Sequence, residues 1–203
     1  MPVRVSALVA AILLYDRAAG LDPDNPQVYF GRALAYEQQG DLEAALADYS
    51  QVIDLDPDLA GPYLGRGLVY DQLDDNVQAT ADYWQWLSRT QTRQIDHEPL
   101  QPGKEFEVTM SRGHAHYLPF DAETGQAVTV IASGLPGGAV DPLIVILDPE
   151  GEPLVGNDDV VIHHDFNSAI TGYSLPVAGT YTLVVSHAGG GHEGTVAVTL
   201  TLN

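Results

Sequence analysis

The sequence predicts a protein of two modules, an all-α solenoid of helical hairpins followed by an all-β antiparallel sandwich. Three observations carry this. Residue types recur at a period of about 34 through the first ninety positions, the length of one helix–turn–helix unit. Helical periodicity stops after Leu87, and Ser88 to Gly103 is polar with Pro99 and Pro102, so 91–103 reads as a linker between modules 1–90 and 104–203. From Lys104 onward, short β-rich runs alternate with Gly, Pro and Asp, and no helical stretch interrupts them.

Within the first module, Asp22-Pro23 and Asp56-Pro57 close successive units. The segment 26–59 carries Tyr29, Ala33, Tyr36, Gly40, Ala45, Tyr49 and Val52, and the segment 60–90 repeats the phase with Tyr63, Gly67, Tyr70, Asp74, Ala79, Tyr83 and Trp86. Residues 1–25 supply only the second half of a unit, with Ala11, Tyr15 and Ala18 in register. Small residues such as Ala33, Ala45, Gly67 and Ala79 mark close helix crossings, and the tyrosines fill the space around them. Gly40 ends one helix in a left-handed conformation and Asp41 caps the next. Proline after Leu55-Asp56 stops the second helix.

These positions resemble the tetratricopeptide repeat family over residues 1 to about 90. Asp74 departs from the pattern, standing where the family usually has Gly, which implies a tighter or differently capped turn. The resemblance implies a right-handed superhelical stack whose inner groove is lined by the first helix of each unit. Carried over one position at a time, the groove residues are Gln27, Phe30, Leu34, Glu37 and Gln38, continued by Leu64, Leu68, Asp71 and Gln72. An apolar floor with acidic rims suits a peptide bearing Lys or Arg.

The chain opens on the unpaired half unit, Val3 to Ala19, in which Val5, Leu8, Val9, Ile12 and Leu13 precede the first acid, Asp16. The stretch Val5 to Leu14 has the look of a signal-peptide core behind Arg4, but Asp16 and Arg17 follow directly without a small-residue cleavage site. It is also too short to span a bilayer, which takes about 20 residues. As a solenoid end it lacks the usual polar outer face, so the sandwich, another chain or upstream residues must cover it. Head-to-tail stacking of such ends would build a filament if the far end of the array were also open.

In the second module the predicted strands are Phe106 to Met110, His116 to Phe120, Ala127 to Ala132, Leu143 to Leu147, Ala169 to Leu175, Thr180 to Ser186 and Thr195 to Leu202. Seven or eight short strands in a hundred residues argue for an antiparallel sandwich. The ordered motifs Tyr117-x-x-Phe120, Asp141-Pro142, Asp148-Pro149-Glu150-Gly151, Gly156-Asn157-Asp158-Asp159, Leu175-Pro176 and Ala178-Gly179-Thr180-Tyr181 resemble the bacterial pre-peptidase C-terminal domain. That resemblance implies a jelly-roll-like sandwich, export from a prokaryotic cell to its surface or beyond, and an accessory, non-catalytic role.

Charge and chemistry narrow the function classes. The chain has 28 acidic and 8 basic residues, and both modules are acidic, so binding to the backbone of a nucleic acid is disfavoured. Cations, basic peptides and apolar surfaces fit better. With no Cys, disulfides, thiolate zinc sites and cysteine nucleophiles are excluded. Asp141, Asn157, Asp158, Asp159 and Asp165 fall in predicted loops that can meet at one end of the sandwich, as a calcium site requires. His114 and His116 share a strand face, with His163-His164-Asp165 as further metal donors, although exposed strand and loop histidines are the simpler reading. Nucleophile-elbow, His-Glu-x-x-His and phosphate-loop motifs are missing. The sequence therefore predicts a non-enzymatic extracellular adaptor that requires no cofactor. The alternatives are a filament subunit assembling through the N-terminal helix and an accessory region of a longer secreted enzyme.

Overall fold

A computed structural model describes residues 2–91, 93–135, 140–158, 167–187 and 193–203, with side chains from residue 7 onward except that of Asp158. Five helices come first: α1 Pro2–Leu21, α2 Pro26–Gln39, α3 Leu42–Leu55, α4 Gly61–Gln72 and α5 Asn76–Thr90. They form the predicted half unit and two full hairpins. Proline near the start of α2 and of α4 sits where its missing N–H costs nothing. Asn25, Asp41 and Asp75 cap α2, α3 and α5 by accepting from the amides of Gln27, Ala44 and Gln78. The two hairpin turns share one geometry. Gly40 adopts φ 85° and Asp74 φ 58°, and the amides of Asp41 and Asp75 reach back to the carbonyls of Tyr36 and Tyr70. The turn at Asp74 is therefore neither tighter nor differently capped; Asp occupies a left-handed position that Gly fills more cheaply.

The same 34-residue register runs through the polar contacts. Arg32 forks onto both oxygens of Asp48 at 2.7 Å, and Arg66 onto those of Asp82 at 2.7 and 2.8 Å. Tyr49 donates to Glu37 at 2.8 Å, and Tyr83 donates to Asp71. Each pair ties the two helices of one hairpin. Between hairpins, Gly65 is required by close approach, since a Cβ there would lie 2.5 Å from the Tyr49 ring.

The second module holds nine strands: β1 Arg93–Asp96, β2 Glu105–Met110, β3 His114–Ala122, β4 Ala127–Gly134, β5 Pro142–Leu147, β6 Pro153–Asp158, β7 Asn167–Ser174, β8 Gly179–His187 and β9 Gly194–Leu202. They form two sheets, ordered β1-β3-β8-β5-β6 and β2-β9-β4-β7. Leu118, Phe120, Ile144 and Leu183 of the first sheet share a buried core with Val108, Val130, Val198 and Leu200 of the second. The described pairings are antiparallel apart from β1 with β3, which is parallel. This departs from the all-antiparallel expectation. The segment read as a linker is woven into the module: beyond β1, the amides of His97 and Leu100 donate to the carbonyls of Tyr117 and Pro119 at 3.0 and 2.7 Å, and Leu100 is buried in the core.

Strand β5 joins the modules. Ile144 and Ile146 point into the space between the sheets, while Leu143, Val145 and Leu147 point outward into a second cluster with Tyr63, Ala79, Tyr83, Trp86 and Leu87 of the last hairpin. Helix α5 lies over β6, an edge strand, and Thr80 Oγ1 accepts from the amide of Gly156 at 2.7 Å. An edge strand is thereby covered by a helix. Thr80 passes its own proton to the Asn76 carbonyl at 2.7 Å, so both groups are satisfied away from water.

Candidate functional site

Three regions of the molecule bear on function: the α2–α4 face predicted as a groove, helix α1, and the histidines on β3 with their neighbours. On α2, Gln27, Leu34 and Gln38 are exposed. Phe30 is half-buried and edges onto Tyr49 with ring centroids 5.9 Å apart, and Glu37 is half-buried as the acceptor for Tyr49. Burial, with the Glu37 charge second, holds the Tyr49 hydroxyl above its ordinary pKa, so it stays a donor.

The α4 half of the predicted groove is different. Leu64 and Leu68 pack against the cluster that joins α5 to the sheet, and Asp71 is buried with Tyr83 as its donor. Of the four α4 residues, Gln72 alone is exposed. The open face is thus centred on α2, and Asp71 is a structural residue where a groove acid was expected. The missed signal lies in β5, whose sequence Pro-Leu-Ile-Val-Ile-Leu leaves no polar face and so calls for cover on both sides.

Helix α1 packs on α2, and along it Leu8 is half-buried and Ile12 buried. Tyr15 lies over Gly31, and Asp16 receives Arg32 at 2.7 Å. Val9 and Leu13 are exposed, as is Leu14, while the side chain of Val5 lies outside the described residues. The assembly stripe is therefore split, with Leu8 and Ile12 serving the fold and Val9, Leu13 and Leu14 facing out. The sandwich does not cover this end; it sits on α5 at the other.

The proposed calcium donors are not assembled among the described residues. Asn157 lies within β6, opposite Ile144, and its Oδ1 accepts from the amide of Ala169 at 3.0 Å. Asp158 ends the same strand opposite Leu143, and Asp141 precedes β5. Asp159, His163, His164 and Asp165 lie outside the described residues. Among those described, no group of three or more His, Asp or Glu is placed to hold a metal ion.

His116 is buried, at 3% exposure, where an exposed strand histidine was expected. Its Nδ1 lies 2.8 Å from Nε2 of His97, with the rings stacked. Burial first, then the neighbouring His97, pushes the His116 pKa down to about 4. His97 and His187 are also held below the ordinary histidine value, in both cases chiefly by burial. These imidazoles are neutral at pH 7 and act as packing groups.

A family model settles what the helical register is. The model described as TPR repeat matches residues 8–40 and 36–74. Tetratricopeptide-type repeats are therefore supported over residues 8–74, and the matched segments begin on α1, with the first running through α2. Among solved structures, MamA is similar at 24% identity over 42% of this chain, with a TM-score of 0.41, and the chain spans half of its length. The first TPR of Spaghetti (RPAP3), bound to an HSP90 peptide, is similar at 26% identity over 41% of this chain and 67% of that one, with a TM-score of 0.40. PliG of Aeromonas hydrophila, a periplasmic inhibitor of g-type lysozyme, is similar at 16% identity over 55% of this chain and all of that one, with a TM-score of 0.42. No curated protein matches the chain in sequence. No family model identifies the β half as a pre-peptidase C-terminal domain. No described helix is long and apolar enough to cross a membrane.

Proposed function

We propose that the chain is a non-catalytic adaptor whose TPR face on α2 holds a segment of a protein partner while the two-sheet module serves as an accessory, surface-binding part. The observation that carries this is the TPR match together with the open α2 face of Gln27, Leu34 and Gln38. A TPR array presents its first helices to partners, and here Leu64, Leu68 and Asp71 of α4 are taken up by packing and hydrogen bonding with the cluster around α5, so α2 bears the contact. The partner's chemistry follows from charge: 28 acids against 8 bases favour a segment with Lys or Arg flanking an apolar side chain.

Selection of peptides from a displayed random library on the purified chain tests this reading. Enriched peptides should be basic and apolar, and Leu34→Glu should abolish their binding without changing the far-ultraviolet circular dichroism. Failure to enrich any peptide, or binding indifferent to Leu34→Glu, overturns it.

Export to the outside of a prokaryotic cell belongs to the same proposal and rests on the motif order of the β half. Fractionation of the source cells, with the protein found outside the cytoplasm, is its test. The reading is unchanged if the chain is one region of a longer secreted enzyme, where the α2 face would direct that enzyme to its partner. Filament growth by head-to-tail stacking requires two open array ends, and the sheet covers α5; that observation weighs against a filament.

A further inference from the structure

Residues 93–100 run as a strap along the side of β3 opposite β8. The strap is fastened by the parallel pairing of β1 and by the amides of Arg93, His97 and Leu100, which donate to the carbonyls of Gly113, Tyr117 and Pro119 at 3.1, 3.0 and 2.7 Å. Little apolar surface holds it: Leu100 is buried and Ile95 half-buried, while Arg93, Gln94, Asp96, Glu98 and Pro99 are exposed. A segment so poor in buried contacts opens at a lower free energy than the core. Strand β3 does not depend on the strap, because its residues from His116 to Ala122 pair with β8 on the other side.

One side-chain contact ties the strap to the sheet from inside. With His97 Nε2 only 2.8 Å from His116 Nδ1, a single proton stands between the two nitrogens, one ring donating and the other accepting. A first extra proton can settle on a nitrogen outside that bond and leave it intact. A second sets two N–H groups face to face, and the contact fails. The surroundings do not compensate. Asp96 on the strap favours a charged His97, but burial outweighs it, and Glu98 is exposed. From β2, Phe106 closes edge-on over His97 with ring centroids 5.3 Å apart; Glu105 and Glu107 alternate with core-facing Phe106 and Val108 and so point away. The Thr109 backbone favours a charged His116 without making a hydrogen bond to it, for His116 Nε2 has no partner among the described residues. His114 on β3 opposes that charge. On β8 the same face carries His187, two residues beyond core-facing Val185, and burial and Arg112 disfavour its charged form too.

We infer that the His97–His116 pair is an acid-released latch, and that protonating both rings frees the strap from β3 while the two sheets stay packed. Release makes β3 an edge strand with unpaired backbone groups and withdraws Leu100 from between the sheets. The direction follows from linkage. His116 is buried under the closed strap and titrates at about 4; once the strap lifts and water reaches the ring, it returns toward about 6.5. Opening therefore takes up a proton, so the latch holds fully above pH 6.5 and weakens as pH falls from there toward 4. Between pH 7.5 and 5, His116 alone should raise the ratio of open to closed strap about 30-fold. His97 adds in the same direction.

Native-state hydrogen exchange of the whole chain, read residue by residue by NMR at several pH values and at low urea concentrations, tests the inference. After correction for intrinsic exchange, the amides of His97 and Leu100 should lose about 30-fold of their protection between pH 7.5 and 5. Their exchange should hardly respond to urea, as for an opening that exposes little surface, whereas the amides of Leu183 and Val185 in β8 should exchange only through a urea-dependent unfolding. His116→Phe, which keeps an aromatic ring and removes the proton, should abolish most of the strap's pH response; His187→Phe, away from the strap, should leave it in place. The native chain decides the matter even if a variant fails to fold. Strap amides whose protection changes less than threefold over that pH range overturn the inference. So do strap amides that share the opening free energy and urea dependence of Leu183, because the strap would then leave only with the whole fold. A folded His116→Phe chain with the native pH response overturns it as well.

Discussion

Acid should unfold this protein earlier than its carboxylates alone dictate, and His116 is the main reason. In the unfolded chain its imidazole titrates near the ordinary value of about 6.5. In the fold its pKa is about 4. A histidine lowered by folding takes up protons more readily when unfolded, so its contribution is fully present above pH 6.5 and is lost as pH falls from there toward 4. The gap corresponds to about 3 kcal/mol, of which about 2 kcal/mol is gone by pH 5. His97 acts in the same direction: with its Nε2 2.8 Å from His116 Nδ1, one nitrogen must donate and the other accept, and two protonated rings would repel. His187 adds to the effect from the end of β8. Urea denaturation at intervals between pH 7.5 and 5, with carboxylates largely ionised, reads the slope. His116→Phe, which keeps the aromatic volume next to His97, should flatten the curve by roughly 2 kcal/mol over that range. A variant with the same pH dependence as the native chain would refute the assignment.

Three further perturbations probe the joints of the fold. Thr80→Val should cost about 1 to 3 kcal/mol in urea denaturation, because the Gly156 amide loses its acceptor in a buried place, while Thr80→Ser should restore most of it. Asp82→Ala should lower stability by about 3 kcal/mol, since Arg66 keeps no carboxylate, only the neutral Ser50 hydroxyl and the Tyr63 ring among the contacts described; Asp48→Ala should cost less, because Arg32 retains Asp16. Thermal melts of the two variants give the comparison. Asp74→Gly should raise the melting temperature through a gain of up to about 1 kcal/mol, by relieving an L-residue held at φ 58°.

The helices were legible because each is bounded by local chemistry: prolines at 26 and 62, caps at Asn25, Asp41 and Asp75, and a left-handed residue at Gly40. Seven strands were legible from alternation, with boundaries shifted by only a few residues. The two missed strands lack that signal. β1, Arg-Gln-Ile-Asp, is a polar edge held by parallel pairing with β3. β6 opens on Pro153 and contains Gly156, both tolerated because it is an edge strand. Its amide at Gly156 bonds to a helix 76 residues earlier, which no local pattern encodes. The groove was misjudged for the same non-local reason. Leu64 and Leu68 have the sequence character of groove residues, and the cluster that α5 builds with the sheet takes them up instead. His116 looked like any strand histidine until Leu100 and His97 were laid alongside β3.

Because Leu143, Val145 and Leu147 face the helices while Ile144 and Ile146 face the opposite sheet, one strand belongs to two cores. Neither half can lose its native packing without exposing the other's apolar side chains. Heating should therefore produce a single calorimetric transition, with equal van't Hoff and calorimetric enthalpies, despite the two architectures in the chain. The practical corollary concerns dissection: separately expressed halves cut near residue 100 would each present one side of a broken core, and their tendency to aggregate would report on the cut, not on either half's native behaviour.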